Sequence, residues 1–380
     1  MEKISIKANI YLGKDALNRL REWKDQRIFI VTDPFMVKSG MINMLTERLH
    51  VSNEHYIFSN IVPDPPIEIV TEGVEALGSF KPDLIIAIGG GSAIDAAKAM
   101  KMFAKKIFGE QHIPFVAIPT TSGTGSEVTS FSVISDKVKN VKYPLVSDEM
   151  LPEEAILDPV LVKSVPDFIT ADTGMDVLTH AVEAYVSTKA NDISDALAEK
   201  AIKLVFAYLP RAYKDGNDVE AREKMHNASC LAGMSFNIAS LGLNHGIANV
   251  AGAKFKIAHG RMNSLLLPHV IEFNASYKPG YTKGESNVTA VRYAEIAKSL
   301  GLPASNARSG VRSLVQAIKH LQKQLGMPQT LQECNVDLSL MNKMKEEIAE
   351  GALKDGTTAT NPRVPSAKDV AGILDKMFQA

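Results

Sequence analysis

The chain has 380 residues, 45% hydrophobic and 22% charged, enough to bury two or three cores and to exclude a disordered or peptide-like protein. Lys+Arg number 42 and Asp+Glu 43, for a formal net charge of -1, so no overall field draws the chain to nucleic acid or to an anionic membrane. The two cysteines, Cys230 and Cys334, stand at no metal-type spacing, which excludes a disulfide framework and fits reduced thiols. The opening MEKISIKANIYLG lacks the apolar core of a signal peptide, and no run approaches ~18 apolar residues. A cytoplasmic protein with small-molecule partners or partner subunits is expected.

In chain order, Ile4 to Tyr11 alternates like an edge strand, able to pair within the chain or at a subunit interface. Continuous apolar runs follow at Ile28 to Thr32, Leu84 to Ile88 and Phe115 to Ile118, with a β-rich run at Glu54 to Phe58. Such runs suit strands buried on both faces of a parallel sheet. Between them, Ile67 to Phe80 places Ile67, Val70, Val74 and Leu77 on one helical face. The β/α succession predicts an α/β domain over 1–165. Beyond Pro166 the strand signals nearly vanish. Segments such as Asp176 to Val186, Ile193 to Tyr208 and Val288 to Leu300 predict a mostly helical domain over 166–380, divided by breakers at Pro210, Gly216, Pro279-Gly280, Gly301 with Pro303, and Pro328.

Two glycine-rich elements follow strands. Gly89-Gly90-Gly91-Ser92 lies between the run at 84–88 and a helical stretch. There, backbone amides at a helix N-terminus can approach a pyrophosphate, with Ser92 placed as the cap. Pro119-Thr120-Thr121-Ser122-Gly123-Thr124-Gly125 follows the next strand, and the hydroxyls of Thr120, Thr121 and Thr124 can meet phosphate or ribose oxygens or simply cap the turn. Asp33 closes the strand at 28–32; a carboxylate there can accept from a ribose and repel a 2′-phosphate, favouring NAD over NADP, although Asp before Pro34 also reads as a turn residue. It precedes the glycines, so the pattern is not the usual dinucleotide fingerprint, whose acid follows them by about 20 residues.

Asp176 and His180, four apart, share a helix face, and His245 and His259 each stand directly before a glycine in apolar surroundings. One carboxylate and three imidazoles suit Fe(II), Zn(II), Mn(II) or Co(II) better than calcium or magnesium. His226, His320, His50, His55 and His112 read as hydrogen-bonded core or surface histidines; His269 is compatible with packing alone. The pair Lys105-Lys106 and the mixed run Lys343 to Glu347 read as solvated helix surface, with no nucleic acid implied.

With VTDP at 31–34, GGGSAIDAAK at 89–98, PTTSGTGSEVT at 119–129, TGMDVLTHAVEAY at 173–185, NHG at 244–246, AHG at 258–260 and TNPR at 360–363, the chain resembles the iron-containing (group III) alcohol dehydrogenases of the dehydroquinate-synthase-like fold. The resemblance spans almost the whole chain and implies that the domain over 1–165 binds a dinucleotide and that the domain over 166–380 is all-helical. It implies Asp176, His180, His245 and His259 as metal ligands, with Fe(II) first and Zn(II) or Mn(II) as alternatives. Gly89, Gly90, Gly91, Ser92 and Asp95 fall at the NAD pyrophosphate, Thr120, Thr121 and Thr129 at the cofactor, Lys142 at the nicotinamide ribose, and Asp33 at the position tied to NAD preference. Phe131, Val133 and Phe236 fall where the family shapes its substrate pocket.

Many members carry a second histidine four residues after the one matching His245. This chain has Asn249, which cannot titrate, so a proton must travel by ribose and water or another side chain, with Asn249 at most orienting. PHVIEFNAS and GLPASNARSGV resemble the branch that interconverts ethanol with acetaldehyde or 1-propanol with propionaldehyde. That branch includes enzymes associated with bacterial microcompartments, and the family resemblance implies a homodimer or a larger assembly of dimers. The alternatives are a glycerol or 1,3-propanediol dehydrogenase and a non-catalytic NAD- and metal-binding protein. A lyase of the dehydroquinate-synthase type is disfavoured, because basic residues are sparse around the ligand candidates.

Overall fold

The computed structural model describes residues 4–109, 112–136, 141–275 and 287–379. Contacts group them into two units, one of 1–165 with 217–237 and one of 166–216 with 238–380.

The first unit is built on a parallel sheet of six strands: β1 (Asn9–Leu12), β2 (Arg27–Val31), β3 (Glu54–Phe58), β4 (Leu84–Gly89), β5 (Phe115–Pro119) and, after a hairpin, β8 (Glu154–Leu157). Their spatial order is β1-β8-β5-β4-β2-β3. Successive side chains enter opposite cores: Ile28, Ile30, Leu84, Ile86, Ile88, Val116 and Ile118 join one cluster, and Phe29, Val31, Ile85, Ala87, Phe115 and Ala117 the other. That double burial is why the strands read as unbroken apolar runs. Each buried Ile or Leu contributes about 1.5–3 kcal/mol.

Short helices α1 (Pro34–Lys38) and α2 (Asn43–Thr46) follow β2, and α3 (Ile67–Phe80) and α4 (Gly91–Phe108) carry the chain into and out of β4. On α3, Val70, Gly73, Val74 and Leu77 are buried, but Ile67 is 43% exposed, a correction to the face expected. As the first helical residue, it precedes the turns that pack. The edge strand expected near the N-terminus is β1, which pairs in parallel with β8 and begins at Asn9. The sequence reading did not anticipate the antiparallel hairpin of β6 (Phe131–Asp136) and β7 (Val141–Val146).

The second unit is helical. Its elements are α5 (Asp167–Val186), α6 (Asp192–Lys214), the end of α7 (Val219–Ala239), α8 (Leu243–Phe255), α9 (His259–Ala275), α10 (Val288–Ser299), α11 (Ala307–Gln324), α12 (Leu338–Lys354) and α13 (Ala367–Gln379). Pro210 is not a breaker: α6 runs through it to Lys214. Proline removes a donor at a cost of about 3 kcal/mol, here offset by burial of Leu209 and Ala212 in the same turns. The Pro279-Gly280 breaker lies outside the described residues. Among the described residues, no helix is long and apolar enough to cross a membrane.

Candidate metal centre and nucleotide loops

Helix α5 is buried over nearly its whole length from Thr170 to Val186. A helix so enclosed must satisfy its polar side chains internally. Asp172, Asp176, His180 and Glu183 stand four, four and three residues apart and therefore form one stripe. His245 is the third residue of α8 and His259 opens α9.

The glycine after each of these histidines allows a close approach. A Cβ on Gly260 would overlap the Asp172 carbonyl, and one on Gly246 would overlap Thr358 Oγ1. The His-Gly pairs thus bring the starts of two helices against their neighbours. The TNPR motif acts at the same place. Asn361 Oδ1 accepts from the Leu243 N–H at 3.1 Å, and Thr360 Oγ1 donates to the Leu241 carbonyl at 2.6 Å, fixing the N-terminus of α8.

The four expected ligands converge. From the Asp176 carboxylate, His245 Nε2 is 3.6 Å away, His259 Nε2 3.8 Å and His180 Nε2 4.0 Å. The rings of His180 and His245 stack at 4.6 Å. Asp176, His180 and His245 are buried, and their ligand atoms lie within 4.8 Å of one another. Asn263 Nδ2 stands among them, 2.7 Å from Asp176 Oδ1, 3.0 Å from His259 Nε2 and 3.1 Å from His245 Nε2. Asn244 donates to Asn263 Oδ1 at 2.9 Å and so fixes which way that amide faces.

The electrostatics ask for a cation. Asp172 is paired by two bonds to Arg261, whereas Asp176 and Glu183 add two buried negative charges beside imidazoles that are neutral in their ordinary form. Burial alone would push the His245 pKa down, yet the Glu183 and Asp176 carboxylates hold it up at about 10. For Asp176, burial pushes upward, but the facing His180, His259 and His245 hold the carboxyl well below the usual range. One oxygen and three nitrogen donors, beside two buried carboxylates that draw positive charge to the site, fit a divalent first-row ion.

In the first unit the sheet order places the other expected residues. The chain leaves β2 for β3 on one side and returns to β4 on the other, so β2 and β4 flank a topological switch point, where ligands bind beyond the strand ends. Asp33 lies two residues beyond β2, and Gly89 ends β4. A Cβ on Gly89 would lie 3.4 Å from Asp33 Oδ2. Asp33 Oδ1 caps α1, accepting from the Phe35 and Met36 amides at 2.9 and 3.1 Å, so the turn reading and the ribose reading use different oxygens.

The cap of α4 is Gly90, not Ser92, a correction: the extended Gly90 carbonyl already accepts from Ala93, so Ser92 falls inside the first turn. The Gly91 and Ser92 amides are thereby left without intrahelical acceptors. The second loop lies alongside: a Cβ on Gly91 would come within 2.6 Å of Thr124 Cγ2, and Thr120 donates its amide to the Gly89 carbonyl.

Helix α7 supports that loop from below. A Cβ on Gly125 would meet Gly233 Cα at 2.6 Å, and Ser122 Oγ is bonded to the buried His226 Nδ1 at 3.0 Å. His226 is the hydrogen-bonded core histidine expected. Burial pushes its pKa down to about 4, opposed only by a contact to the Pro119 carbonyl.

Both halves of the chain match family models: residues 7–159 match iron-containing alcohol dehydrogenase, and 170–378 match the C-terminal part of the Fe-containing alcohol dehydrogenase family. The 1-propanol dehydrogenase PduQ of Citrobacter freundii is 45% identical over the full length of both chains.

The chain belongs to the iron-containing alcohol dehydrogenase family.

It is accordingly an oxidoreductase of the alcohol dehydrogenase type. Among solved members, a 1,3-propanediol oxidoreductase superposes with a TM-score of 0.89 at 32% identity, covering 100% of both chains. A sulfoacetaldehyde reductase from Bifidobacterium kashiwanohense in complex with NAD+ gives 0.86 at 28% identity, covering 99% of this chain and 98% of that one.

Several positions expected from the family pattern have settled partners here. Asp95 accepts from Ser126 Oγ at 2.5 Å and from the Val133 amide at 2.9 Å. The buried Lys98 donates to Ser126 Oγ, Thr129 Oγ1 and the Phe131 carbonyl. Asp95 and Thr129 therefore brace the segment 126–133. Phe131 and Phe236 face each other with ring centroids 6.3 Å apart, and Val133 is 37% exposed. Asn249 is exposed on α8 and donates to Asp355 Oδ2 at 2.9 Å. The side chain of Lys142 lies outside the described residues. A cavity of about 810 Å³ beside α3 and α4, lined by Leu77, Phe108, Lys101 and Lys105, includes none of these residues. Sequence reasoning missed Glu183, Asn263 and Asn361.

Proposed function

We propose that this alcohol dehydrogenase interconverts short primary alcohols and aldehydes, with 1-propanol and propionaldehyde as the preferred pair, using NAD(H) and a divalent metal, Fe(II) first. The observation that carries the reading is the convergence of the buried Asp176, His180 and His245 with the partly exposed His259 beside two buried carboxylates. The choice of substrate is supported by the likeness to the 1-propanol dehydrogenase, and NAD by the Asp33 carboxylate and the NAD+-bound relative.

Asp176, His180, His245 and His259 would hold the metal. Bound there, a metal supplies Lewis acidity to an alcohol or carbonyl oxygen, and a nicotinamide supplies or takes up hydride. The Gly91 and Ser92 amides would bind a pyrophosphate, the hydroxyls of Thr120 and Thr121 would meet the cofactor, and Asp33 Oδ2 would accept from a ribose. Asp95 and Thr129 would serve the cofactor by bracing 126–133, and Lys142 would reach the nicotinamide ribose. Phe131, Val133 and Phe236 would supply apolar walls to the substrate. Asn249, unable to titrate and held by Asp355, orients rather than relays a proton.

The family likeness also supports a cytoplasmic homodimer or assembly of dimers, at home in a bacterial microcompartment, which size-exclusion and cell fractionation address.

The test is NADH oxidation with propionaldehyde, using metal-free protein reconstituted anaerobically with Fe(II), Zn(II), Mn(II) or buffer, beside a panel of acetaldehyde and 3-hydroxypropionaldehyde. Metal-dependent turnover, fastest with propionaldehyde, is expected. A preference for the hydroxyaldehyde would make the protein a propanediol dehydrogenase, and metal binding without turnover would leave a binding protein.

A further inference from the structure

Glu183 is 4% exposed, and its two oxygens serve two partners. Oε1 accepts from the Asn244 amide at 2.6 Å, and Oε2 faces His245 Nδ1 at 2.5 Å. An ionised carboxylate only accepts, so Nδ1 carries a proton, and Nε2 is the nitrogen left on the side of Asp176, 3.6 Å from its carboxylate. This approach depends on Gly242, where a Cβ would sit 2.9 Å from Oε1. It also sets the carboxylate at the N-terminus of α8, where the helix dipole favours negative charge.

We propose that Glu183 is a positioning residue of the metal centre, holding His245 in the Nδ1–H tautomer so that Nε2 is presented to a divalent cation. The inference rests on the metal reading above. It adds to it a residue that shares α5 with Asp176 and His180 and that would raise the basicity of the nitrogen it does not touch.

The test titrates chelator-treated protein with Zn(II) against a chromogenic competitor, for the native chain, Glu183→Gln and Asp176→Asn. Glu183→Gln keeps the size and an acceptor oxygen but loses the charge; its Zn(II) affinity should fall about 10–100-fold. Asp176→Asn should lose more. If Glu183→Gln stays within twofold of the native chain while Asp176→Asn is impaired, the role of Glu183 is overturned and the metal centre stands. Undiminished binding by Asp176→Asn would remove the centre itself.

A second measurement needs no variant to fold. In native protein labelled with 15N-histidine and loaded with Zn(II), His245 should carry its proton on Nδ1. A proton on Nε2 with zinc at Nδ1 overturns the proposal.

Discussion

Asp33 caps a helix through one oxygen and, on the proposed function, would select the cofactor through the other. Since Oδ1 caps α1 and Oδ2 faces Gly89, Asp33→Asn should keep the cap, Asn and Asp being equivalent there, while removing the charge that opposes a 2′-phosphate. The ratio of kcat/KM for NADH over NADPH should then fall about tenfold with little change in Tm. An unchanged ratio would place the 2′-phosphate elsewhere. His226 gives a pH dependence. Its folded pKa of about 4 lies below its ordinary value of 6.5, so the unfolded chain binds a proton between those limits that the folded chain does not. Stability should fall as pH drops through 6.5, with the loss complete near pH 4 and amounting to about 3 kcal/mol. Denaturant unfolding of His226→Gln at pH 7 and pH 5 should show a shallower drop than the native chain; equal slopes would assign the drop to other groups.

At the scale of elements, two helical glycines should respond in opposite directions to the same change. A methyl group on Gly260 has no room against the Asp172 carbonyl, so Gly260→Ala should cost about 1–3 kcal/mol, displace the start of α9 and lower Zn(II) retention after desalting. Gly372, within α13, has nothing within 4 Å of its would-be Cβ, and Gly372→Ala should stabilise by about 0.5–1 kcal/mol. Thermal melts of the two variants suffice, and a neutral Gly260→Ala would mean that the two helices are less tightly seated. The same elements mark what a sequence discloses. Strand β4 was readable because burial on both faces leaves an unbroken apolar run. Hairpin β6–β7 was not, because neither of its strands is a continuous apolar run and Pro144 interrupts the second. The histidines stood out by their glycines, but Glu183 looks like any glutamate on a helix. Only the fold brings α8, some sixty residues later, against it. Asp33 preceding the glycines becomes intelligible once β2 and β4 are neighbours.

At the scale of the molecule, the four ligand candidates all belong to the unit of 166–216 and 238–380, whereas Asp33 and both glycine loops belong to the other. Hydrogen exchange should therefore separate the two ligands: Zn(II) slows exchange in α5, α8 and α9, and NADH slows it around 89–92 and 119–125. Zinc in thousandfold excess over Kd should add about 4 kcal/mol of stability. Protection of the glycine loops by zinc alone would contradict the assignment of ligands to units. Helix α7 has a different kind of consequence. Its residues up to Asn237 belong with the sheet, although more than fifty residues of the other unit are synthesised between. On a ribosome, the six strands are available once residue 157 has emerged, but the loop at 119–125 must wait for His226 and Gly233 to arrive beneath it. A nascent chain halted between these points would have all six strands but an unsupported glycine loop, and a gene cut near residue 165 would yield that same half-finished object as its permanent product.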